Sequence, residues 1–358
     1  LAEEMLVAIH SGQAVAEESP HGVKVTGDVS VALRRLLGVL ESGAVHATES
    51  AHSLCRLFFE TEIVGEFKAR GLSKPIVMHR VVREAPVTKN RVELVDPGNL
   101  TPLIGRDTEL SILKDRWEQA AEGMGQIVLL IGEAGLGKSR LIREIREHAV
   151  DQSETPDIIE LRCSQYHREA GLYPLLEHLT QLLELDAQSN DEGRVLAIER
   201  YLESLRLHSD HNVALLASLL GIDPKYAPSL GIPPQRIKEH VAQLALDILR
   251  QRAERGPILF IVEDLHWVDP TLLDLLAAYV ESFDQHRALS IFTFRPEFET
   301  PWRSKPHQTQ IALNRLTRRQ IRDMMRRRLG GIEVRDAVVD QIVERTDGIP
   351  LFIEEFTT

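Results

Sequence analysis

Hydrophobic positions between residues 124 and 316 follow two alternating rhythms. "QIVLLIG", "DIIELRC", "PILFIVED" and "ALSIFTFR" are short, nearly unbroken apolar runs, the pattern of strands buried on both faces. Between them, "KSRLIREIREHAV" and "PTLLDLLAAYVESF" place apolar residues every three or four positions, the period of an amphipathic helix. A further helix is predicted over about 107–122, and "QIALNRL" adds a strand. Strands alternating with helices predict α/β architecture, a parallel sheet in a doubly wound domain. Residues 171–253 interrupt it with Leu- and Ala-rich helical segments, broken by "GIDPKYAPSLGIPP", and the chain from Thr317 is again helical in pattern.

Residues 1–82 differ in texture. β-rich runs ("MLVAIHSG", "VKVTGD", "PIVMHRVV") alternate with one helix, "VSVALRRLLGVLESG", in which Val31, Leu33, Leu36, Leu37 and Leu40 recur at near-helical spacing. That predicts α+β material. Residues 83–101 hold two prolines, Asp-Pro-Gly and little periodicity, and read as a linker. The expected organisation is a partial α+β domain (1–82), a linker (83–101), an α/β core with a helical insert (102–312) and the start of a helical lid (313–358). The chain opens at Leu1 on a strand-like run and stops at "PLFIEEFTT" inside a helical pattern, so it is expected to be a piece of a longer polypeptide. It shows no internal repeat and no low-complexity tract.

Hydrophobic content of 43% and charged content of 27% suit a globular protein, and the 5% of aromatics predicts an aliphatic core. A net charge of −12 argues against general nucleic-acid binding, which needs a basic footprint. Cys55 and Cys163 are far apart and read as inert thiols of a reducing compartment. Cys163 and His167 stand four apart, but no second close pair completes a metal site. No run approaches the roughly 18 apolar residues that span a bilayer, and no leader pattern is present. A cytoplasmic chain with no membrane partner is expected.

The candidate chemistry starts at Gly132-Glu133-Ala134-Gly135-Leu136-Gly137-Lys138-Ser139, which fits G-x-x-x-x-G-K-[ST] between a predicted strand and a predicted helix. Backbone amides of such a loop point inward at phosphate oxygens, and glycines supply the positive φ that the turn requires. The partial positive charge of the helix N-terminus adds to anion binding. Lys138 is expected to reach the β- and γ-phosphates, Ser139 to ligate Mg²⁺, and Arg140 to lie beside the nucleotide. The predicted ligands are therefore ATP and Mg²⁺. A second element is "ILFIVEDLHWVD", where Ile258–Val262 should form a buried strand ending in Glu263 and Asp264 at the edge where such sheets bind ligands. Glu263 is expected to hold Mg²⁺ and Asp264 to orient the attacking water; the reverse assignment stays open. The strand "LSIFTFRPEF" ends in Thr293 and Arg295, a polar residue beside the γ-phosphate and an arginine that either senses it or leaves the strand into solvent. His266 either polarises water or packs on the next helix.

Residues 315–328, "RLTRRQIRDMMRRR", are strongly basic. In an acidic chain without interleaved base-stacking aromatics this reads as a solvated lid helix, with Ile321, Met324, Met325 and Leu329 inward, rather than a nucleic-acid helix.

"LIGRDTEL", "GEAGLGKSRL", "IVEDLHWVDP", "FRPEF", "LNRL" and "TDGIPLFIEE" occur in this order over residues 101–358. The set resembles the signal-transduction ATPases with numerous domains, a regulatory branch of the P-loop ATPases related to AAA+ proteins. More narrowly, it resembles the bacterial ATPases that follow a class III nucleotidyl cyclase domain. The resemblance implies that Ile104, Gly105 and Arg106 lie against the adenine. It also implies that Gly348-Ile349-Pro350 belongs to a module that packs on the nucleotide and reports its state. "VAIHSGQAV", "GDVSVALRRLLGVLESGAV" and "ARGLSKPIVMHRV" resemble the C-terminal part of a class III adenylyl or guanylyl cyclase domain. Carried over, that family's ribose-orienting asparagine falls at Val31, its transition-state arginine at Arg35 and its triphosphate lysine at Arg70. The loss of the amide at Val31 points to a weak or inactive cyclase remnant.

Together these features predict a bacterial, cytoplasmic regulator in which ATP-Mg²⁺ acts as a slowly hydrolysed switch. Its expected partners are an upstream cyclase half and downstream sensor domains of the same polypeptide, with nucleotide-dependent self-association and no nucleic acid bound directly by this piece. Two rivals come from other classes. One is an active cyclase regulated by its ATPase. The other is an ATP-dependent transcription regulator whose DNA reader lies beyond Thr358.

Overall fold

A computed structural model describes residues 6–11, 15–19, 22–26, 43–55, 59–67, 75–84, 102–152, 156–168, 170–185, 190–228, 231 and 233–357. The chain divides into two units, Leu1–Leu100 and Thr101–Thr358.

In the first unit, strands β1 (Val7–Ile9), β4 (Val45–Thr48), β5 (Phe59–Phe67) and β6 (Ile76–Glu84) form a sheet in the order β1-β4-β6-β5. β1 runs parallel to β4, and β6 runs antiparallel to both β4 and β5. β2 (Val15–Ser19) and β3 (Gly22–Thr26) make a separate antiparallel hairpin. A seven-residue helix, α1 (Glu49–Cys55), follows β4 directly. Ala47 and Met78 are fully buried. The run "PIVMHRVV" is β6, as its pattern predicts. β5 has no apolar rhythm because it is an edge strand. Its acids Glu60 and Glu62 pair with Arg83 and Arg80 of β6 at 2.7 and 2.6 Å, so charges take the place of an alternating apolar face. The helix expected over 29–43, with Val31 and Arg35, falls almost wholly outside the described residues, as does Arg70.

The second unit carries a five-stranded, all-parallel sheet in the order β11-β7-β10-β9-β8. The strands are β7 (Gln126–Ile131), β8 (Asp157–Arg162), β9 (Ile258–Glu263), β10 (Ala288–Phe294) and β11 (Gln308–Ala312). This is the α/β parallel sheet that the apolar runs predict. Its helices are α2 (Asp107–Ala121), α3 (Lys138–Gln152), α4 (Tyr173–Leu182), α5 (Asp191–Ser204), α6 (Asp210–Leu219), α7 (Pro234–Arg255) and α8 (Pro270–Ser282). Strand periodicity sorts the two cores. Ile258, Phe260 and Val262 of β9 face the cluster built with the 171–253 helices, while Leu259 and Ile261 face the cluster with Leu113, Trp117, Leu141 and Ile145 of α2 and α3. β10 divides the same way, with Phe292 and Phe294 on the first face and Leu289 and Ile291 on the second. Continuing that alternation puts Glu263 and Thr293 on the α3 face, at the C-terminal ends of neighbouring strands.

The tail folds as α9 (Arg318–Arg328), α10 (Asp336–Thr346) and α11 (Pro350–Phe356) around Leu316, Ile321, Met324, Met325, Val339, Ile342 and Ile353. Thr317 starts α9 with a capping box, its hydroxyl taking the Gln320 amide while the Gln320 side chain takes the Thr317 amide. Most arginines of this basic stretch pair with local acids. Arg318 pairs with Asp336 and Asp340, Arg322 with Asp336, Arg326 and Arg327 with Asp323, and Arg315 with Asp347. Ile321, Met324 and Met325 face inward, but Leu329 does not. It caps the helix at 40% exposure, where the chain leaves the packed face.

Candidate functional site

β7 delivers the chain to the glycine loop at the C-terminal edge of the sheet. The Gly132 amide donates to Phe294 O at 3.1 Å, tying the loop's first residue to β10. Gly135 and Gly137 take φ of +80° and +97°, values that a side chain would resist, and α3 begins at Lys138. A Cβ added at Gly137 would meet nothing within 4 Å, so that side of the loop is an open cradle. The buried Lys138 ammonium crosses the loop, donating to Gly132 O at 2.7 Å and Glu133 O at 3.0 Å. Burial lowers its pKa, Asp264 opposes that shift, and Arg295 adds to it. A cation that is desolvated and faces another cation is stabilised by an anion placed between them.

The start of α3 and the end of β9 meet next to this cradle. Ser139 Oγ donates to Glu263 Oε2 at 2.7 Å. The Glu263 carboxyl is buried and its pKa is pushed up to about 7, chiefly by desolvation. The Arg162 guanidinium opposes the shift and Glu160 adds to it. Glu263 Oε1 has no hydrogen bond and lies 3.5 Å from Arg162 Nε. A hydroxyl and a carboxylate with a spare buried oxygen are hard oxygen donors, which suit Mg²⁺ better than a softer metal.

Asp264 turns the chain out of β9 in the left-handed region, φ 56° and ψ 43°, into a short 3-10 helix, Leu265–Trp267. Its amide donates to Thr293 Oγ1 at 3.0 Å, and its carboxylate is exposed. The buried Thr293 hydroxyl therefore fixes the turn that presents Asp264. Arg295 is half-buried beyond the end of β10, and its charge acts on both Lys138 and His266. Neither His266 ring nitrogen has a hydrogen-bond partner, and burial lowers that histidine's pKa. Thus Gly132–Ser139, Glu263, Asp264, Thr293 and Arg295 come together at the C-terminal ends of β7, β9 and β10, which are adjacent in the sheet.

A second layer of contacts joins this edge to the tail. Arg106, 5% exposed, donates to Leu136 O at 3.3 Å and to Asn314 O at 2.5 Å, so one guanidinium ties the glycine loop to the chain leaving β11. Gly105 O accepts from Gln320 Nε2 at 3.4 Å, and Ile104 packs on the tail cluster. Gly348 takes φ +72°, and its carbonyl accepts the Leu316 amide at 2.8 Å. The next residues lie on the loop itself. The Leu351 amide donates to Gly135 O at 3.3 Å, and a Cβ at Gly135 would fall 2.9 Å from Ile349 Cγ2. Pro350 opens α11 there, and Arg140 of α3 reaches Glu354 of α11 at 3.5 Å.

Glu160, Arg162, Asn314 and Leu351 were not singled out from the sequence. A signal existed for two of them. In "DIIELRC" the charged Glu160 and Arg162 share a face with Ile158, two charges on a strand otherwise built for burial.

The family model described as "AAA ATPase domain" matches residues 102–292, more than half of the chain. An uncharacterized protein of Rhizobium meliloti (strain 1021) is 27% identical over 339 residues. The match covers 92% of this chain and 32% of the relative, so the chain spans about a third of that relative's length. Among solved structures, a signal transduction ATPase with numerous domains and a tetratricopeptide repeat sensor, from Pyrococcus horikoshii, is 16% identical. It covers 73% of this chain and 31% of its own, with a TM-score of 0.40. A Walker-type ATPase of Pyrococcus abyssi is 15% identical, over 71% of this chain and 67% of its own, with a TM-score of 0.38.

Proposed function

The chain belongs to the AAA ATPase domain family, and on that premise we propose that it binds ATP with Mg²⁺ and uses the nucleotide as a regulatory switch, with slow hydrolysis as the reset. The observation that carries this is the contact of Ile349 and Leu351 with Gly135: the tail rests on the very loop that would hold the phosphates. A ligand that reshapes the loop bears directly on the tail, and a ligand shifts an equilibrium only through such differential contact.

In this proposal the amides of residues 133–139 and the Lys138 ammonium hold the phosphate oxygens, while Ser139 and Glu263 hold Mg²⁺. When bound, Mg²⁺ supplies charge neutralisation at the phosphates. Asp264, exposed at the fixed turn, orients water. Arg295 lies where its cation reads the presence of the terminal phosphate. Lys138 exchanges its two carbonyl partners for phosphate oxygens, which frees Gly132 O and Glu133 O and loosens the loop against Leu351. The proposed division is a core over 102–312 and a lid over 313–358, with an upstream cyclase-like piece, downstream sensor segments and nucleotide-dependent self-association as its working context. Among the described residues no helix is long and apolar enough to cross a membrane.

The test is amide hydrogen exchange of residues 346–357 without nucleotide, with ATP-Mg²⁺ and with ADP-Mg²⁺. Exchange in that segment is expected to differ between the ATP and ADP states. Tight binding of both nucleotides with identical exchange there removes the switch and leaves a plain ATP-binding domain.

A further inference from the structure

The first unit holds a cluster that the nucleotide site does not use. Glu49 and His52 stand three apart on α1, in its first and last turns, and so share a helix face. His79 lies on β6 directly opposite Ala47 of β4, the residue pair on which α1 begins two positions later. His79 Nε2 is 2.6 Å from Glu49 Oε2, and His52 Nδ1 is 4.0 Å from Glu49 Oε1. One ligand atom from each of the three residues lies within 4.8 Å of the others.

We propose that Glu49, His52 and His79 form a binding site for one divalent transition-metal ion of the zinc type, held by two imidazoles and one carboxylate with solvent completing the shell. Bonds of about 2.0–2.1 Å at tetrahedral angles set donor atoms roughly 3.3 Å apart. The two separations from the Glu49 carboxylate, 2.6 and 4.0 Å, bracket that value, so adjustments of under an ångström bring both imidazoles to bonding distance. The His52 and His79 rings stack with centroids 3.8 Å apart and planes within 11°. Two parallel rings cannot both aim a lone pair at one ion, so one must turn. The His52 side chain, 19% exposed, has the room, while the His79 side chain at 5% is held in place. Glu49 is 61% exposed, which leaves the site open to solvent for entry and for a bound water. Two nitrogen donors favour zinc, cobalt or nickel over magnesium or calcium, which separates this site chemically from the oxygen donors Ser139 and Glu263. The ion would bridge α1 to β6, reinforcing the contact that Glu49 already makes with His79.

The probe is Co²⁺, added to the full chain after chelator treatment and without nucleotide. One equivalent is expected to give the intense ligand-field absorption of a four-coordinate site. Zn²⁺ should displace it, and Mg²⁺ in excess should not. His79→Gln and Glu49→Gln should each weaken binding at least about tenfold. Glu49 is largely exposed, so its variant tests the site even if the buried histidine's variant fails to fold. Absence of the absorption in the wild type overturns the proposal, and so does its persistence at equal affinity in the folded Glu49→Gln chain.

Discussion

Gly135 and Gly137 both hold positive φ, yet alanine at the two positions should have separable effects. Each substitution forces an L-residue into backbone that costs about 1–2 kcal/mol. At Gly137 nothing lies within 4 Å of the added Cβ, so the backbone is the whole cost in the nucleotide-free chain. At Gly135 the Cβ would stand 2.9 Å from Ile349 Cγ2 and 3.1 Å from Leu351 Cβ, against an ordinary carbon–carbon contact of about 3.5–4.0 Å. The 349–351 segment must then back away by roughly half an ångström or more, which takes the 3.3 Å Leu351 N–H···O Gly135 bond out of range. Overpacking of this kind costs a further ~1–3 kcal/mol. For a unit of this size each kcal/mol is about 2–4 °C in Tm. Thermal unfolding without nucleotide should therefore place Gly135→Ala several degrees below Gly137→Ala. Adding ATP-Mg²⁺ should raise Tm for the wild type and much less for Gly137→Ala, whose methyl occupies the cradle. Equal Tm values for the two variants, or full ATP stabilisation of Gly137→Ala, would refute the reasoning.

Ser139→Ala and Glu263→Gln should each remove most of the gain that Mg²⁺ brings to ATP affinity, about tenfold or more, as read by titration with and without the metal. Arg106→Met leaves the Leu136 and Asn314 carbonyls without their donor and should cost about 2–4 kcal/mol, seen as a lowered unfolding midpoint in urea. His178 has its pKa pushed down from 6.5 to about 4, first by burial and then by the Arg252 cation, and its buried Nε2 has no partner. Because the folded value is the lower one, its contribution is complete above pH 6.5 and is lost as pH falls from there towards 4, by at most about 3 kcal/mol. Urea midpoints between pH 7 and pH 4.5 should fall less steeply for His178→Leu than for the wild type; equal slopes would clear His178 of that role.

The sheet of the second unit was legible because burial on both faces leaves little choice of residue. Runs such as "ILFIVE" and "ALSIFTF" can hardly be anything but central strands, and the glycine loop stands out by its fixed spacing between a strand and a helix. The loop's contact with the tail was not legible, because Ile349 and Leu351 are ordinary apolar residues and only folding shows that they sit on Gly135. Arg106 was singled out by resemblance for the adenine. The fold adds that its guanidinium is buried and donates to two backbone carbonyls and Glu109, of which the carbonyl contacts are set by distant chain segments and invisible to local pattern. The sequence pattern puts Thr293 at the end of its strand on the ligand edge; that its hydroxyl accepts the Asp264 amide is a pairing fixed by strand register across β9 and β10, which local pattern does not show. In the first unit, β5 and α1 escaped notice for opposite reasons. The edge strand spends its alternation on charges, and the helix is too short to repeat a period.

Equilibrium binding of ATP-Mg²⁺ to the wild type and to Lys138→Ala tests the central claim most directly. Lys138 is the cation held across the loop by two carbonyls, so its loss should weaken ATP binding at least about a hundredfold while leaving the chain folded. Equal affinity in the two proteins would mean that the phosphates are held elsewhere, and the account built on this edge of the sheet would be wrong.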